Sequence, residues 1–277
     1  MADESMDVCL VAVQMKCRPG DVKWNLARAE GLIDRVSSTF LEGKTIICLP
    51  ELFSTGYNLE RDTFVKLAEF VPGPTVNKLV SWANKYGAYI HAGIAEKGRA
   101  GVVYDSSILV SSRGLLGSYR KMHLAGDYEE KIFAPGREVS VVATKLGGLG
   151  LMICYDQVYP EMARKLAMSG AEIILHSSAW SNIPREMDWG AKEYRVFSNA
   201  RAMENTVFMV SSNRIGVEGK FRFVGQSRVI APWGEVLAER RHGEGCALAK
   251  VDLETLKKCR SIHPCLEKPS RRSPRIK

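Results

Sequence analysis

The chain has 277 residues, of which 45% are hydrophobic and 25% are charged, a composition typical of a globular protein with a sizeable core. No apolar run approaches the roughly 18–20 residues that span a bilayer, and the acidic N-terminus lacks the basic start and apolar stretch of a signal peptide. We therefore expect a soluble, cytoplasmic protein with no membrane partner.

The formal net charge of +8 is concentrated near the C-terminus. Residues 257–277 contain eight Lys or Arg residues and one Glu, so the rest of the chain is nearly neutral. This segment has no aromatic residue among its basic ones and matches no nucleic-acid module, which favours a solvated tail over a nucleic-acid-binding surface. With no linker or repeat elsewhere, we predict one domain over residues 1–256 and a basic tail over residues 257–277.

Seven cysteines are spread through a chain that is too long to depend on disulfides. Cys259, His263 and Cys265 stand close together, but three candidate ligands without a second pair make a weak zinc motif. We expect no metal site.

In the first half of the chain, short β-rich runs alternate with helical stretches. Apolar residues at helical spacing follow Asp21, a candidate N-cap, and occur again over residues 75–86, where Gly87 provides a stop. The predicted strands of this half are residues 8–14, 45–49, 88–95, 102–110 and 115–119.

The second half has the same alternation. Gly147 and Gly148 form a predicted hairpin turn between strands at residues 139–143 and 149–153. Predicted helices cover residues 161–169 and 187–204, and the remaining predicted strands are residues 173–176, 206–212, 226–231, 235–238 and 247–251. This mixture indicates an α/β or α+β fold in which helices cover sheets.

Three reactive side chains stand directly after predicted strands, namely Glu51, Lys121 and Cys154. Such positions are held rigidly and can face a cleft. Cys154 precedes a polar turn and then Pro160, which opens a helix whose N-terminus would favour a thiolate. A buried structural cysteine is the alternative, and from the residues alone the two interpretations have equal weight.

Glu51 and Lys121 also have two interpretations each. Glu51 lies in an apolar stretch, where partial desolvation would raise its pKa toward that of a general base; alternatively, it turns outward at the strand end. Lys121 lies between Arg120 and His123, and by this pattern alone a solvated basic cluster is the better interpretation.

These residues occur within five ordered segments that resemble the nitrilase superfamily of carbon–nitrogen hydrolases. The resemblance runs from about residue 8 to the tail, and five motifs in order are far more specific than one. The segments are Leu49-Pro50-Glu51-Leu52-Phe53, Tyr119-Arg120-Lys121-Met122-His123-Leu124, Ile153-Cys154-Tyr155-Asp156, Arg201-Ala202-Met203-Glu204-Asn205 and Pro232-Trp233-Gly234-Glu235-Val236-Leu237.

The resemblance implies an α/β fold of the four-layer α-β-β-α sandwich type. It maps a catalytic triad onto Glu51, Lys121 and Cys154, and a second catalytic glutamate onto Glu130, next to Glu129. It also implies a homodimer or higher homo-oligomer that packs through residues 161–170 and 187–204, and a reaction that needs no cofactor.

The substrate-binding residues implied by the resemblance are Tyr57, Tyr155, Ala179 and Trp180. The backbone N–H of Tyr155 would help to stabilise an oxyanion, and the other three would line the acyl pocket. For Trp180, plain core packing is the alternative.

The resemblance implies a cysteine-dependent amidase that converts a small carboxamide to the acid and ammonia through a thioester. In nitrilases of the family the nucleophile is followed by Trp-Glu, whereas this chain has Tyr155-Asp156, which favours an amide over a nitrile. Gln157 and the spacing to Pro160 resemble N-carbamoylputrescine amidases, so an N-carbamoyl amine or amino-acid hydrolase is the alternative. A nitrilase and a non-enzymatic scaffold are less favoured, the latter because all three triad residues are present.

Overall fold

Two six-stranded sheets form the centre of the computed structural model, which describes residues 7–182 and 189–266. The first sheet contains β1 (Asp7–Gln14), β2 (Thr45–Cys48), β3 (Ala88–Lys97), β4 (Val103–Ser111), β5 (Gly114–Arg120) and β15 (Gly245–Asp252). The second contains β6 (Ser140–Thr144), β7 (Gly147–Ile153), β8 (Ile173–Ser178), β10 (Phe208–Asn213), β13 (Ser227–Ile230) and β14 (Val236–Arg240). A small third sheet contains β9 (Ser181–Asn182), β11 (Ile215–Glu218) and β12 (Phe221–Val224).

The two large sheets share one topology. Their spatial orders are β15-β1-β2-β3-β4-β5 and β14-β13-β10-β8-β7-β6. The central strands β1, β2 and β3 run parallel, as do β7, β8 and β10, and antiparallel strands flank each trio. In each sheet the carboxyl ends of parallel strands therefore lie on one edge, where side chains from distant parts of the chain can meet.

Helices cover the outer face of each large sheet. The first sheet carries α1 (Val22–Asp34) and α3 (Pro74–Tyr86), and the second carries α5 (Pro160–Met168) and α6 (Gly190–Asn205). As predicted, Asp21 caps α1 by accepting a hydrogen bond from the Trp24 backbone N–H at 3.1 Å, and α3 ends at Gly87 in the left-handed conformation. Two sheets, each covered by helices on its outer face, confirm the predicted four-layer α-β-β-α sandwich.

The alternation of side chains along β1 shows how the layers are held together. Leu10 and Ala12 pack against the second sheet, while Val11 and Val13 pack against α1 and α3. Because both faces of the strand are covered, its sequence is one continuous apolar run rather than an alternating one.

Three further α-helices are α2 (Arg61–Leu67), α4 (Gly126–Glu130) and α7 (Glu254–Ile262). The last one crosses the boundary predicted at residue 256, and residues 267–277 of the predicted tail lie outside the described residues. No helix among the described residues is both long and apolar enough to cross a bilayer.

The outer faces of α5 and α6 expose apolar side chains, including Met168, Val196 and Met203. The sequence predicts contact with a second copy of the chain on these helices, and that contact stays a prediction. The first residues of the predicted helix, 187 and 188, lie outside the described residues.

Candidate active site

The three residues of the predicted triad meet between the two large sheets. Glu51 follows β2, Lys121 follows β5 and Cys154 follows β7, and all three are buried. The Nζ of Lys121 lies 2.7 Å from Oε1 of Glu51, and the Cys154 thiol is near enough to the Glu51 carboxylate to contribute to the lowering of its pKa. Ser178 donates to Sγ of Cys154 at 3.4 Å. Residues separated by about a third of the chain thus form one cluster.

Cys154 has an unusual backbone conformation. Its φ of 42° lies in the left-handed region, which costs an L-residue on the order of 1–2 kcal/mol. The conformation turns the chain sharply from β7 into the short 3₁₀ turn Cys154–Val158, so that Cys154 lines a cavity instead of continuing the strand. His176 on β8 supports this turn, with Nε2 3.2 Å from the Cys154 carbonyl oxygen.

Asp156 connects the segment of Cys154 to the segment of Lys121. Its Oδ2 accepts hydrogen bonds from the Ile153 N–H at 3.0 Å and from the Tyr119 hydroxyl at 2.8 Å. Its Oδ1 accepts the His123 N–H at 3.1 Å and lies 2.8 Å from His123 Nδ1. Because Tyr119 and His123 flank Lys121, this one carboxyl group fixes the position of both reactive segments.

The second carboxylate beside Lys121 is Glu129, and the prediction of Glu130 is wrong. Both residues lie on the short helix α4, where adjacent side chains point in directions about 100° apart. Glu130 is exposed, whereas Glu129 is fully buried with its two carboxyl oxygens 2.8 and 2.7 Å from Lys121 Nζ. Glu129 also accepts a hydrogen bond from the Tyr57 hydroxyl at 2.6 Å.

A third acid, Asp105 on β4, completes the cluster. One oxygen each of Glu51, Asp105 and Glu129 lie within 4.8 Å of one another, the arrangement of a metal site. The ammonium of Lys121 lies among them, 3.6 Å from Oδ2 of Asp105, and supplies the positive charge that a cation would otherwise provide. The cluster is therefore an ion-pair network centred on Lys121.

The electrostatics differ from the sequence expectations in two respects. Burial raises the pKa of Glu51, but the Lys121 charge and the hydrogen bonds that Glu51 accepts lower it below its usual value, so the expected rise is wrong. Burial and the Glu51 charge raise the pKa of Cys154 well above its usual value, so the resting group is a thiol and not the expected thiolate.

Lys121 stays protonated despite its burial. Burial lowers the pKa of its ammonium, but the surrounding carboxylates, with Glu129 and Glu51 foremost, raise that pKa well above its usual value. The cluster therefore presents an ionised base and a fixed positive charge next to a neutral thiol.

A cavity of about 280 Å³ opens onto Cys154. All four predicted substrate-binding residues, Tyr57, Tyr155, Ala179 and Trp180, line its wall. Tyr57 is held from two sides, since its hydroxyl donates to Glu129 and its backbone N–H donates to Glu218 at the end of β11, at 2.9 Å.

Several residues at the site were not predicted from the sequence. The small sheet contributes Phe221, whose ring packs edge-on against Tyr57 with centroids 5.0 Å apart, and α6 contributes Glu193 to the cavity wall. Among the lining residues that the structure describes, Glu193 has the only charged side chain. Asp105 left one visible signal, a lone acid inside the apolar run of residues 102–110.

Comparison with known proteins agrees with this architecture. The family model for carbon–nitrogen hydrolases matches residues 10–261. A nitrilase of Pyrococcus abyssi is 37% identical over 248 residues, which cover 87% of this chain and 88% of the relative. An N-carbamoylputrescine amidase of Solanum lycopersicum is 32% identical over 275 residues, covering 93% and 90%.

A solved structure with the same fold is that of Saccharomyces cerevisiae Nit3, a member of branch 10 of the nitrilase superfamily. It matches with a TM-score of 0.84 and 28% identity, covering 96% of this chain and 97% of the other. The chain therefore belongs to the carbon–nitrogen hydrolase family within the nitrilase superfamily, whose members hydrolyse non-peptide carbon–nitrogen bonds.

Proposed function

We propose that the protein is a cysteine-dependent amidase that hydrolyses a small carboxamide to the acid and ammonia. The observation that carries this proposal is the convergence of Glu51, Lys121 and Cys154 at a cavity large enough for a small molecule. Nucleophile, base and positive charge are the groups that acyl transfer requires.

The first half of the reaction forms a thioester. As the Cys154 sulfur attacks the amide carbon, its proton passes to Glu51, because the pKa of the thiol is too high for a standing thiolate. The negative charge that develops on the amide oxygen is stabilised by the Lys121 ammonium and the Tyr155 backbone N–H. An ammonium group has three N–H donors, so Lys121 can bind both Glu51 and Glu129 and still donate to the substrate.

The second half releases the acid. Before it begins, Glu51 gives the thiol proton to the departing nitrogen, which leaves as ammonia and completes the thioester. Glu51 then accepts a proton from the attacking water, and a second tetrahedral intermediate collapses to the carboxylic acid as Glu51 returns that proton to the Cys154 sulfur. Glu129 holds Lys121 in place throughout, since Lys121 is within 3 Å of both of its oxygens.

Two features favour an amide over a nitrile. The residues after the nucleophile are Tyr155-Asp156, not the Trp-Glu pair of the nitrilases that the sequence otherwise resembles. Asp156 is also fully used in holding the two reactive segments together, so it has no free oxygen for the substrate.

A second candidate is the hydrolysis of N-carbamoyl amines to the amine, ammonia and carbon dioxide. The specific observation behind it is the Glu193 carboxyl group on the cavity wall, which would pair with an ammonium at the far end of such a substrate. The similarity to an N-carbamoylputrescine amidase adds support. In both candidates the attacked carbon carries an NH₂ group, so the chemistry at Cys154 is the same.

The test is ammonia release from a panel of neutral aliphatic amides, ω-amides, N-carbamoyl amines, N-carbamoyl amino acids and nitriles, with Cys154→Ala as the control variant. We expect release from an amide or carbamoyl class, its loss in Cys154→Ala, and a thioester adduct on Cys154 by mass spectrometry. An adduct on the Cys154→Ala variant, or turnover that survives the substitution, would contradict the proposal.

A further inference from the structure

The cluster around Lys121 has two more acids than its single positive charge can balance. Glu51, Asp105 and Glu129 are each fully buried and surround a single ammonium. Three ionised carboxylates would leave two uncompensated negative charges in a dry environment, which is far more costly than retaining a proton on one of them. The question is which carboxyl group retains it.

Hydrogen-bond donors identify the ionised members. Glu129 accepts from Lys121, from the Tyr57 hydroxyl at 2.6 Å and from the Ala125 N–H at 2.8 Å. Glu51 accepts from Lys121 through Oε1 at 2.7 Å. Donors favour the charged form of a carboxyl group, so they stabilise Glu51 and Glu129 as carboxylates, although burial still raises the pKa of Glu129 above its usual value.

Asp105 is in the opposite situation. Both of its carboxyl oxygens are buried and have no hydrogen-bond donor among the described residues, with the Lys121 Nζ at 3.6 Å. Oε2 of the neighbouring Glu51 is buried and equally unpartnered. One proton on Asp105, directed at that oxygen, would give a hydrogen-bond partner both to Oε2 of Glu51 and to the Asp105 oxygen that carries the proton.

We propose that Asp105 is a positioning residue that retains its proton at neutral pH and donates it as a hydrogen bond to Oε2 of Glu51. Its effect on catalysis rests on the proposed function, whereas the protonation itself does not. The proton stays on Asp105 throughout, while the thiol proton passes from Cys154 to Glu51 and on to the leaving nitrogen. Asp105 thereby keeps Glu51 ionised and fixes its orientation toward Cys154.

The backbone makes this contact rigid. The Lys121 N–H donates to the Asp105 carbonyl oxygen at 2.9 Å, which ties the end of β5 to β4 next to the cluster. The charged and titratable groups that face Asp105 are Glu51, Lys121 and Glu129, and their combined effect with burial raises the pKa of Asp105 well above its usual value. Cys154 and Tyr57 are the next titratable groups around the cluster.

The experiment measures the pH dependence of Cys154 alkylation by iodoacetamide, with the modified peptide quantified by mass spectrometry. Variants Asp105→Ala and Asp105→Asn are compared with the wild type. Ser107→Ala is the matched control, because Ser107 is equally buried on β4 but contacts His91. Alkylation depends on Glu51 as the base that deprotonates Cys154. It can be measured without knowing the natural substrate.

The sign of the shift decides the result. If Asp105 donates a hydrogen bond, its loss in Asp105→Ala raises the pKa of Glu51, and the acid limb of the profile moves up by about one pH unit. Asp105→Asn, whose amide N–H can still donate, should return the acid limb toward the wild-type position and recover most of the alkylation rate that Asp105→Ala loses at neutral pH. Ser107→Ala should leave the acid limb in place. If Asp105 were ionised, removing its charge would move the limb to lower pH; that shift, or none, overturns the proposal.

Infrared spectroscopy gives a readout that does not depend on reactivity. The wild-type protein should show the carbonyl band of a buried protonated carboxylic acid, sensitive to deuterium exchange and missing from Asp105→Asn. A band that persists in Asp105→Asn, or no band in the wild type, overturns the proposal. If no amide or carbamoyl substrate is hydrolysed while the band and the upward shift are both found, the proposed function fails and the protonated Asp105 stands.

Discussion

The two large sheets contribute different chemistry to one site. The first sheet supplies the charges, with Glu51 after β2, Asp105 on β4 and Lys121 after β5. The second supplies the neutral thiol of Cys154 after β7, the proposed nucleophile, and the wall residues Ala179 and Trp180 after β8. The charged groups of the first sheet contact one another directly, whereas Cys154 depends on Glu51 of the opposite sheet for the proposed proton transfer.

This division has a cost and a benefit. A buried lysine with three acids is stable only if every member has a partner, so the first sheet is sensitive to the loss of any one charge. The second sheet contributes neutral side chains to the cavity wall, so a substitution there leaves no buried charge unpaired. Asp156, in the turn after β7 of the second sheet, accepts hydrogen bonds from Tyr119 on β5 of the first sheet and from His123 just after β5, and so connects the two sheets.

The largest effect is expected for Lys121→Ala on the first sheet. The variant loses the oxyanion charge and should lower kcat by about 10²–10³-fold, and the carboxylates left unpaired should destabilise the fold by about 3–5 kcal/mol. Steady-state kinetics and chemical denaturation measure the two effects. The exposed Lys131 at the end of α4 provides a control, since Lys131→Ala should change neither quantity. A folded Lys121→Ala variant with near wild-type turnover would remove Lys121 from the mechanism.

A smaller effect is expected for Asp156→Asn, which tests the connection between the sheets. Both oxygens of Asp156 accept from donors, so an NH₂ group in place of either one leaves those donors unsatisfied and should cost about 2–3 kcal/mol of stability. Because Cys154 and Lys121 would move apart, kcat should fall about tenfold with little change in KM.

The control for Asp156→Asn is Asp127→Asn, which makes the same chemical change at an exposed position of α4. Reduced stability with an unchanged kcat would show that Asp156 supports the fold without positioning the reacting groups.

The smallest effect is expected for Glu193→Gln on the cavity wall. If the substrate ends in an ammonium group, the ratio of its KM to the KM of a neutral amide should rise about tenfold, because the variant loses one charge-assisted hydrogen bond to that group. Glu161→Gln, an exposed change on the neighbouring helix α5, is the control. An unchanged ratio would favour neutral carboxamides as substrates.

Local patterns were enough to predict much of the fold. The strands of both large sheets and helices α1 and α3 follow from continuous apolar runs, helical spacing, and the cap and stop residues at Asp21 and Gly87. The small third sheet was missed because its strands are two to four residues long and carry little periodic signal. It is nevertheless the element that brings Phe221 against Tyr57.

By itself, the sequence determined the family and predicted that Glu51, Lys121 and Cys154 act together, because ordered motifs specify residue types without reference to space. Tertiary structure alone decided that Glu129 and not Glu130 contacts Lys121, since a one-residue step on a short helix exchanges a buried direction for an exposed one. It also decided the direction of the Glu51 and Cys154 pKa shifts and the place of Asp105. Those properties depend on which charges meet across the two sheets, and contacts between distant residues leave no local pattern in the chain.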